Sequence, residues 1–236
     1  MLLPGQCFKT VSLFGDTSFW GFAFGIEFLL DGVLTRIAMQ LQHTPEFRAM
    51  LVLCAEGLND AWTVDNPPEC INVGELGWIA MAEEEFEEYV VAALILSFPD
   101  NKNCTYWLAK GYARQVVAQA LLLRMTKRRW LAESSHLSTH LPRDNNQLFD
   151  LLSKNDMPGW GCMNGQLDTP FELRPVTSVS LKIQEFMVTA LKANHPCAIE
   201  YDEMLGEVRP KTAPATHCLV PEAILSNEHD LSLIHI

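Results

Sequence analysis

The sequence predicts an α+β fold in which an antiparallel sheet packs against a long helical hairpin. Large apolar side chains alternate with small or charged ones along 21–30, and an Asp-Gly pair follows, which is typical of a β-hairpin at about 21–42. Apolar residues then recur at helical spacing through two long segments at about 75–133, separated by Pro99. We expect a single domain at 1–230, and 134–146 is where it would divide.

The hairpin can be predicted down to its register. Asp31-Gly32 favours a two-residue type I′ turn, in which both central residues need positive φ. This turn pairs Leu30 with Val33, and on the opposite face of the sheet it sets Glu27 against Arg36. Turn chemistry, apolar alternation and charge pairing therefore agree on one register.

The helices are predicted from their ends and their apolar stripes. Thr44-Pro45 is typical of a helix start, with Thr as the N-cap and Pro at the first helical position. We expect one long helix over about 75–98 and a second over about 104–133, joined by a short turn. Their pairing would bring the acidic residues of 83–88 beside the basic end of the second helix.

Charge is divided unevenly along the chain. The net charge of −12 lies entirely in residues 1–100, whereas residues 101–236 are neutral and contain a basic segment. This separation predicts either two faces with different partners or two faces that meet. The acidic candidates for binding a protein partner are Glu83, Glu84 and Glu87. The basic candidates for binding a protein partner or nucleic-acid phosphates are Lys110, Arg114, Arg124, Lys127, Arg128 and Arg129.

The composition favours a cytoplasmic protein. The seven cysteines are scattered and form no CxxC pair, which indicates reduced thiols. No apolar run reaches the ~18 residues of a membrane helix, and the N-terminus lacks the pattern of a signal peptide. We therefore expect no membrane partner.

One short motif points to nucleophilic catalysis. Gly159-Trp160-Gly161-Cys162-Met163 resembles the nucleophile motif of the autophagy cysteine proteases that process ubiquitin-like modifiers. The resemblance implies a reactive thiolate at Cys162, which needs an imidazole as its base. The Asp-Pro-His of that family does not follow, and His195 and His217 are the candidates for the base.

Metal and cofactor signals are sparse. His136 and His140 stand four residues apart, a spacing that brings two imidazoles together on a helix, but they lie in a Ser-rich loop. The phosphate-binding and hydrolase motifs GxGxxG, Walker A, HExxH and GxSxG do not occur. We expect no cofactor.

The function predicted from these signals is a non-enzymatic interaction or assembly protein, a component of a nucleoprotein or mobile-element system. The alternatives are a cysteine-dependent hydrolase that uses Cys162 and a nucleic-acid-binding protein that uses the basic helix at 110–130.

Residues 231–236 resemble a translated sequencing adapter. We expect this tail to be non-native and the true C-terminus to be missing.

Overall fold

The computed structural model describes residues 9–54 and 70–194 of the chain. Its centre is one mixed sheet of six strands in the order β5-β4-β1-β2-β3-β6. The strands are β1 (Lys9–Thr17), β2 (Gly21–Leu30), β3 (Val33–Gln42), β4 (Ala93–Phe98), β5 (Ser135–Ser138) and β6 (Glu172–Pro175). Strands β1, β2 and β3 form an antiparallel meander, β4 and β5 continue the sheet parallel to β1, and β6 lies parallel to β3.

Helices cover both faces of this sheet. They are α1 (Pro45–Cys54), α2 (Ile71–Glu85), α3 (Glu87–Val90), α4 (Lys102–Lys110), α5 (Val116–Leu131), α6 (Gln147–Ser153), α7 (Met157–Asn164) and α8 (Ser178–Asn194). The even-numbered residues of β2, such as Phe22 and Phe24, enter the main core with α2, α5 and α8. Ala23 enters a smaller core with α6 and α7. Because successive strand residues point to opposite faces, the two cores lie on opposite sides of the sheet.

The predicted hairpin is confirmed in position and register. Leu30 pairs with Val33, and Asp31 and Gly32 both have positive φ, as a type I′ turn requires. Glu27 lies opposite Arg36, and the Arg36 Nε donates to Glu27 Oε2 at 2.7 Å. The α+β class and the antiparallel hairpin are therefore shown by the structure.

The predicted helical hairpin is wrong in two places. Residues 93–98 form strand β4 rather than the end of a long helix. A short apolar run fits a buried helix as well as a parallel strand covered on both faces, so its sequence could not decide between them. The second helix is interrupted at Gly111, whose left-handed conformation ends α4, and α5 begins anew after its N-cap Gln115.

The start of α1 is confirmed by its cap. The Thr44 Oγ1 accepts a hydrogen bond from the Phe47 N–H at 3.2 Å. None of the helices in the described ranges is long and apolar enough to cross a membrane.

Candidate metal centre

Three acidic side chains meet at one edge of the sheet. Asp16 lies at the carboxyl end of β1, and Asp100 follows the carboxyl end of β4. These strands are parallel neighbours, with Phe14 paired to Phe98, so their ends come together. Glu75, on α2, completes the group, which we call the carboxylate centre: one oxygen from each of the three carboxylates lies within 4.8 Å of the others.

Close packing of α2 on β1 places Glu75 in the centre. A Cβ atom at Gly74 would lie 2.5 Å from the Thr17 Cγ2, so the absence of a side chain there lets the helix approach the strand. The Glu75 carboxylate is fully buried and is held by two neutral donors. The Thr17 N–H donates to Oε1 at 3.0 Å, and the Trp78 Nε1–H donates to Oε2 at 2.9 Å.

Asp16 and its neighbour Gly15 are held from α6 and from the segment before it. The Ser153 hydroxyl donates to Asp16 Oδ2 at 2.6 Å, and Asp16 is 5% exposed. The Asn146 side chain donates to the carbonyl of Gly15 at 2.9 Å, and Asp100 is half-buried. The Asn146 Oδ1 is buried without a hydrogen-bond partner, so one further oxygen ligand lies unused beside the centre.

Burial makes the three carboxylates of the centre hard to ionise. Burial, together with the charge of Asp100, raises the pKa of Asp16 to about 7, although the Ser153 hydrogen bond opposes this. Burial and the neighbouring Asp16 and Asp100 raise the pKa of Glu75 well above its ordinary value. Burial also raises the pKa of Asp100. In the described part of the chain, no Lys, Arg or His forms an ion pair with any of the three.

A cleft of about 630 Å³ opens in front of the carboxylate centre. Asp16 and Asp100 line it, and Asp150 on α6 adds a third acidic side chain to its wall. Two cations share the cleft: the Lys154 Nζ lies 2.7 Å from Asp150 Oδ1, and an Arg143 guanidinium nitrogen lies 3.6 Å from the same atom. The cleft therefore has carboxylates for a metal ion and cations for an anionic group.

The chemistry of the donor set favours a hard divalent cation. All three ligands of the centre are carboxylate oxygens, and the unused amide oxygen of Asn146 is of the same kind. Mg²⁺ and Mn²⁺ prefer such ligands, whereas Zn²⁺ sites use His and Cys. A bound cation would also favour the ionised form of these carboxylates, whose pKa values are raised mainly by burial.

The sequence-predicted basic and acidic residues largely neutralise each other. The Arg129 Nε donates to both oxygens of the buried Glu83 at 3.0 Å, and Arg124 binds Glu84 at 2.6 and 2.8 Å. Arg128 lies 3.5 Å from Glu84 and 3.0 Å from Glu87. The predicted meeting of the acidic and basic segments is thus confirmed, and we call it the ion-pair cluster. Lys110, Arg114 and Lys127 remain exposed.

The two candidate histidine ligands lie in different surroundings. His136, on β5, is buried 3.9 Å from Glu83, and burial together with Arg129 holds its pKa well below the usual range. The His140 Nε2 contacts the backbone carbonyl of Asp100 at 2.9 Å. Within the described ranges, the potential metal ligands that come together in a group of three or more are those of the carboxylate centre. Neither histidine belongs to this group.

Cys162 lies inside α7, a helix that the Gly- and Pro-containing sequence did not predict. The Asp156 Oδ1 caps this helix by accepting from the Gly159 N–H at 3.0 Å. The thiol is exposed, and the amide of Gln166 lies 3.9 Å from its sulfur. His195 and His217 lie outside the described residues, so a role for Cys162 as a nucleophile stays a prediction.

The carboxylate centre itself was missed by the sequence analysis. One signal was present in Glu75, a single acidic residue in the otherwise apolar run that extends from 73 to 82. A charged residue on the buried face of a helix needs a partner or a function. Asp16 lies at the end of an apolar strand and Asp100 follows another, but they converge only because β1 and β4 are adjacent and parallel.

Comparison with known proteins adds no relative. No model of a protein family matches the chain, and no curated protein shows significant similarity to it. The functional argument therefore depends on the geometry of the site.

Proposed function

We propose that this protein is a divalent-metal-dependent hydrolase of phosphodiester bonds in nucleic acid. The observation that carries the proposal is the carboxylate centre, in which three acidic side chains from β1, α2 and β4 converge without an ion-pair partner in the described chain. Such an arrangement costs free energy in the metal-free protein, and a bound cation would offset that cost.

The surroundings of the centre support phosphate chemistry. Mg²⁺ commonly binds to a few carboxylates together with the phosphate oxygens of a substrate. When bound, the metal would activate water as the nucleophile and stabilise charge on the phosphate. The chain's own residues hold two of the ligands: Ser153 orients Asp16, and Thr17 and Trp78 orient Glu75.

The cleft supports a polymeric substrate. Arg143 is exposed on the wall of the cleft and Lys154 is part-exposed beside it, where both can contact phosphates flanking the one at the centre. The sequence lacks the phosphate loops that hold nucleoside triphosphates. A nucleic-acid strand is therefore a better fit than a free nucleotide.

The proposal is tested by incubating labelled DNA and RNA strands with the purified protein and Mg²⁺ or Mn²⁺. We expect cleavage that EDTA abolishes and that Asp100→Asn reduces by about 10²–10³-fold. Asp168→Asn is the matched control, because Asp168 is exposed and lies in the connection between α7 and β6. Absence of cleavage with every strand and metal, or equal loss in both variants, would overturn the proposal.

The assembly role predicted from charge is a second candidate. One observation favours it: the tip of the β2–β3 hairpin exposes Leu29, Leu30 and Val33, an apolar patch of the kind that binds proteins. We keep the cytoplasm as the proposed location, supported by Cys70, Cys104 and Cys162, which are free thiols in the described part of the chain. Replacing apolar side chains at the hairpin tip, by Leu29→Ser and Val33→Ser, should abolish binding of the partner protein and leave hydrolysis unchanged.

A further inference from the structure

The cleft carries an aromatic feature that the metal chemistry does not use. Phe19 and Trp20 form the turn between β1 and β2, three and four residues after Asp16, and line the same cleft as the carboxylates. Trp20 is 57% exposed. Exposing an indole to water forfeits the free energy of burying it, so an exposed Trp beside a candidate site suggests a ligand.

Several hydrogen bonds hold the turn that carries Trp20, although the Trp20 side chain is exposed. The Ser18 Oγ accepts from the Trp20 N–H at 3.1 Å and from the Gly21 N–H at 3.3 Å, and it donates to the Ser153 carbonyl at 2.9 Å. The carbonyl of Trp20 accepts from the His43 N–H at 2.9 Å. Since Ser153 also holds Asp16, one residue of α6 fixes both the aromatic turn and the carboxylate centre.

The orientation of the indole is also defined. Phe19 meets Trp20 edge to face, with ring centroids 5.5 Å apart and an interplanar angle of 77°. The guanidinium of Arg48 lies 5.7 Å from the centroid of Trp20, over one face of the ring. Phe19 and Arg48 thus hold the indole in place while Trp20 stays 57% exposed, which leaves surface on which a flat group can stack.

We propose that Trp20 is a stacking platform for an unpaired base of the strand whose phosphate lies at the carboxylate centre. This inference rests on the proposed function and deepens it. A base within a duplex has both faces covered by its neighbours, so an open indole selects single strands or strand ends. The rest of the cleft favours a nucleic acid over an apolar peptide, because its wall is charged and includes Arg143 and Lys154.

The test compares Trp20→Ala with Trp130→Ala, which removes another exposed indole from α5. Both are made in the Asp100→Asn protein, so that bound strands stay intact, and affinity is measured by fluorescence anisotropy with labelled single strands and duplexes. Losing one stacked base should weaken single-strand binding by about 5- to 150-fold for Trp20→Ala and leave it unchanged for Trp130→Ala. Trp20→Phe should restore most of the affinity.

A single abasic residue, moved along the strand, supplies the matching change in the ligand. At one position, the abasic residue should weaken strand binding by the Asp100→Asn protein. It should not further weaken strand binding by the Trp20→Ala variant, since both changes remove the same contact. Unchanged affinity of Trp20→Ala, or an abasic effect that persists in it, would overturn the platform while metal-dependent cleavage could still stand. If the wild-type protein binds Mn²⁺ but no strand, the metal centre stands and the platform is wrong.

Discussion

Two groups of buried acidic residues lie in the described part of the chain, and one is paired with arginines while the other is not. In the ion-pair cluster, Glu83 and Glu84 are each bound by arginines from α5. In the carboxylate centre, Asp16 and Glu75 are buried just as deeply but are held by neutral donors beside Asp100. Buried carboxylates that pair with arginines of the same chain make a structural contact. The carboxylates of the centre lack such partners in the described chain, and we propose that they bind a cation from solution.

The ion-pair cluster should show the larger cost when one partner is removed. Glu83→Gln leaves the guanidinium of Arg129, whose side chain is 14% exposed, without its carboxylate. We expect a loss of about 3–5 kcal/mol in the free energy of unfolding, because a buried charge without its partner is strongly destabilising. Urea unfolding measures it, with Glu87→Gln as the control, since Glu87 is exposed and should contribute below ~1 kcal/mol. A change in Mn²⁺ affinity for Glu83→Gln, with the fold intact, would contradict the separation of the two groups.

The carboxylate centre should respond in the opposite direction. Asp16 has an ordinary pKa of 3.8 in the unfolded chain and a pKa of about 7 in the folded one. Below pH 3.8, Asp16 is protonated in both the folded and the unfolded chain. Between pH 3.8 and about 7 it loses its proton more readily in the unfolded chain, so the free energy of unfolding falls as pH rises. The loss is complete above the folded pKa. Asp16→Asn removes this penalty, so it should stabilise the metal-free protein by up to about 4 kcal/mol at about pH 8 and change it little at about pH 4.

Thermal unfolding in EDTA across this pH range checks the prediction. The wild type should lose stability between about pH 4 and 7, and Asp16→Asn should lose less, the difference reaching on the order of 10 °C in Tm. Saturating Mg²⁺ should raise the Tm of the wild type more at high pH than at low pH, because it binds the ionised carboxylates. Parallel pH profiles for the two proteins would show that Asp16 ionises freely and would remove the electrostatic argument for the centre.

An ion pair near the surface gives the smallest expected effect and shows that burial, rather than pairing alone, sets the scale. Glu27 and Arg36 pair at 2.7 Å on partly exposed positions of the hairpin. Glu27→Gln should cost only about 0.2–1 kcal/mol in unfolding free energy. Thr35→Ala is the control for a general loss of β-strand propensity, because Thr35 lies next to Arg36 on β3. A cost as large as that of Glu83→Gln would mean that burial does not distinguish the two ion pairs.

The sequence was informative where structure is local. The turn at Asp31-Gly32 and the alternation along β2 fixed the register of the hairpin, and Thr44 marked the start of α1, because these features depend on neighbouring residues. Strand β4 was mistaken for helix, because a short apolar run has no decisive period.

The carboxylate centre could not be predicted in the same way. Asp16, Glu75 and Asp100 are far apart in sequence, and their meeting depends on the parallel pairing of β1 with β4 and on the close packing at Gly74. The ion-pair cluster was foreseen because blocks of opposite charge are visible in sequence, although the helices that carry them are shorter than expected.

The account depends most directly on whether the carboxylate centre binds a metal ion. Isothermal titration of Mn²⁺ into the metal-free protein at about pH 8, above the pKa of about 7 of Asp16, measures this without any assumption about substrate. We predict saturable binding by the wild type and by Asp168→Asn, and its loss in Asp16→Asn and Glu75→Gln, both of which should remain folded. No binding by the wild type, or undiminished binding by the two carboxylate variants, would contradict the central claim.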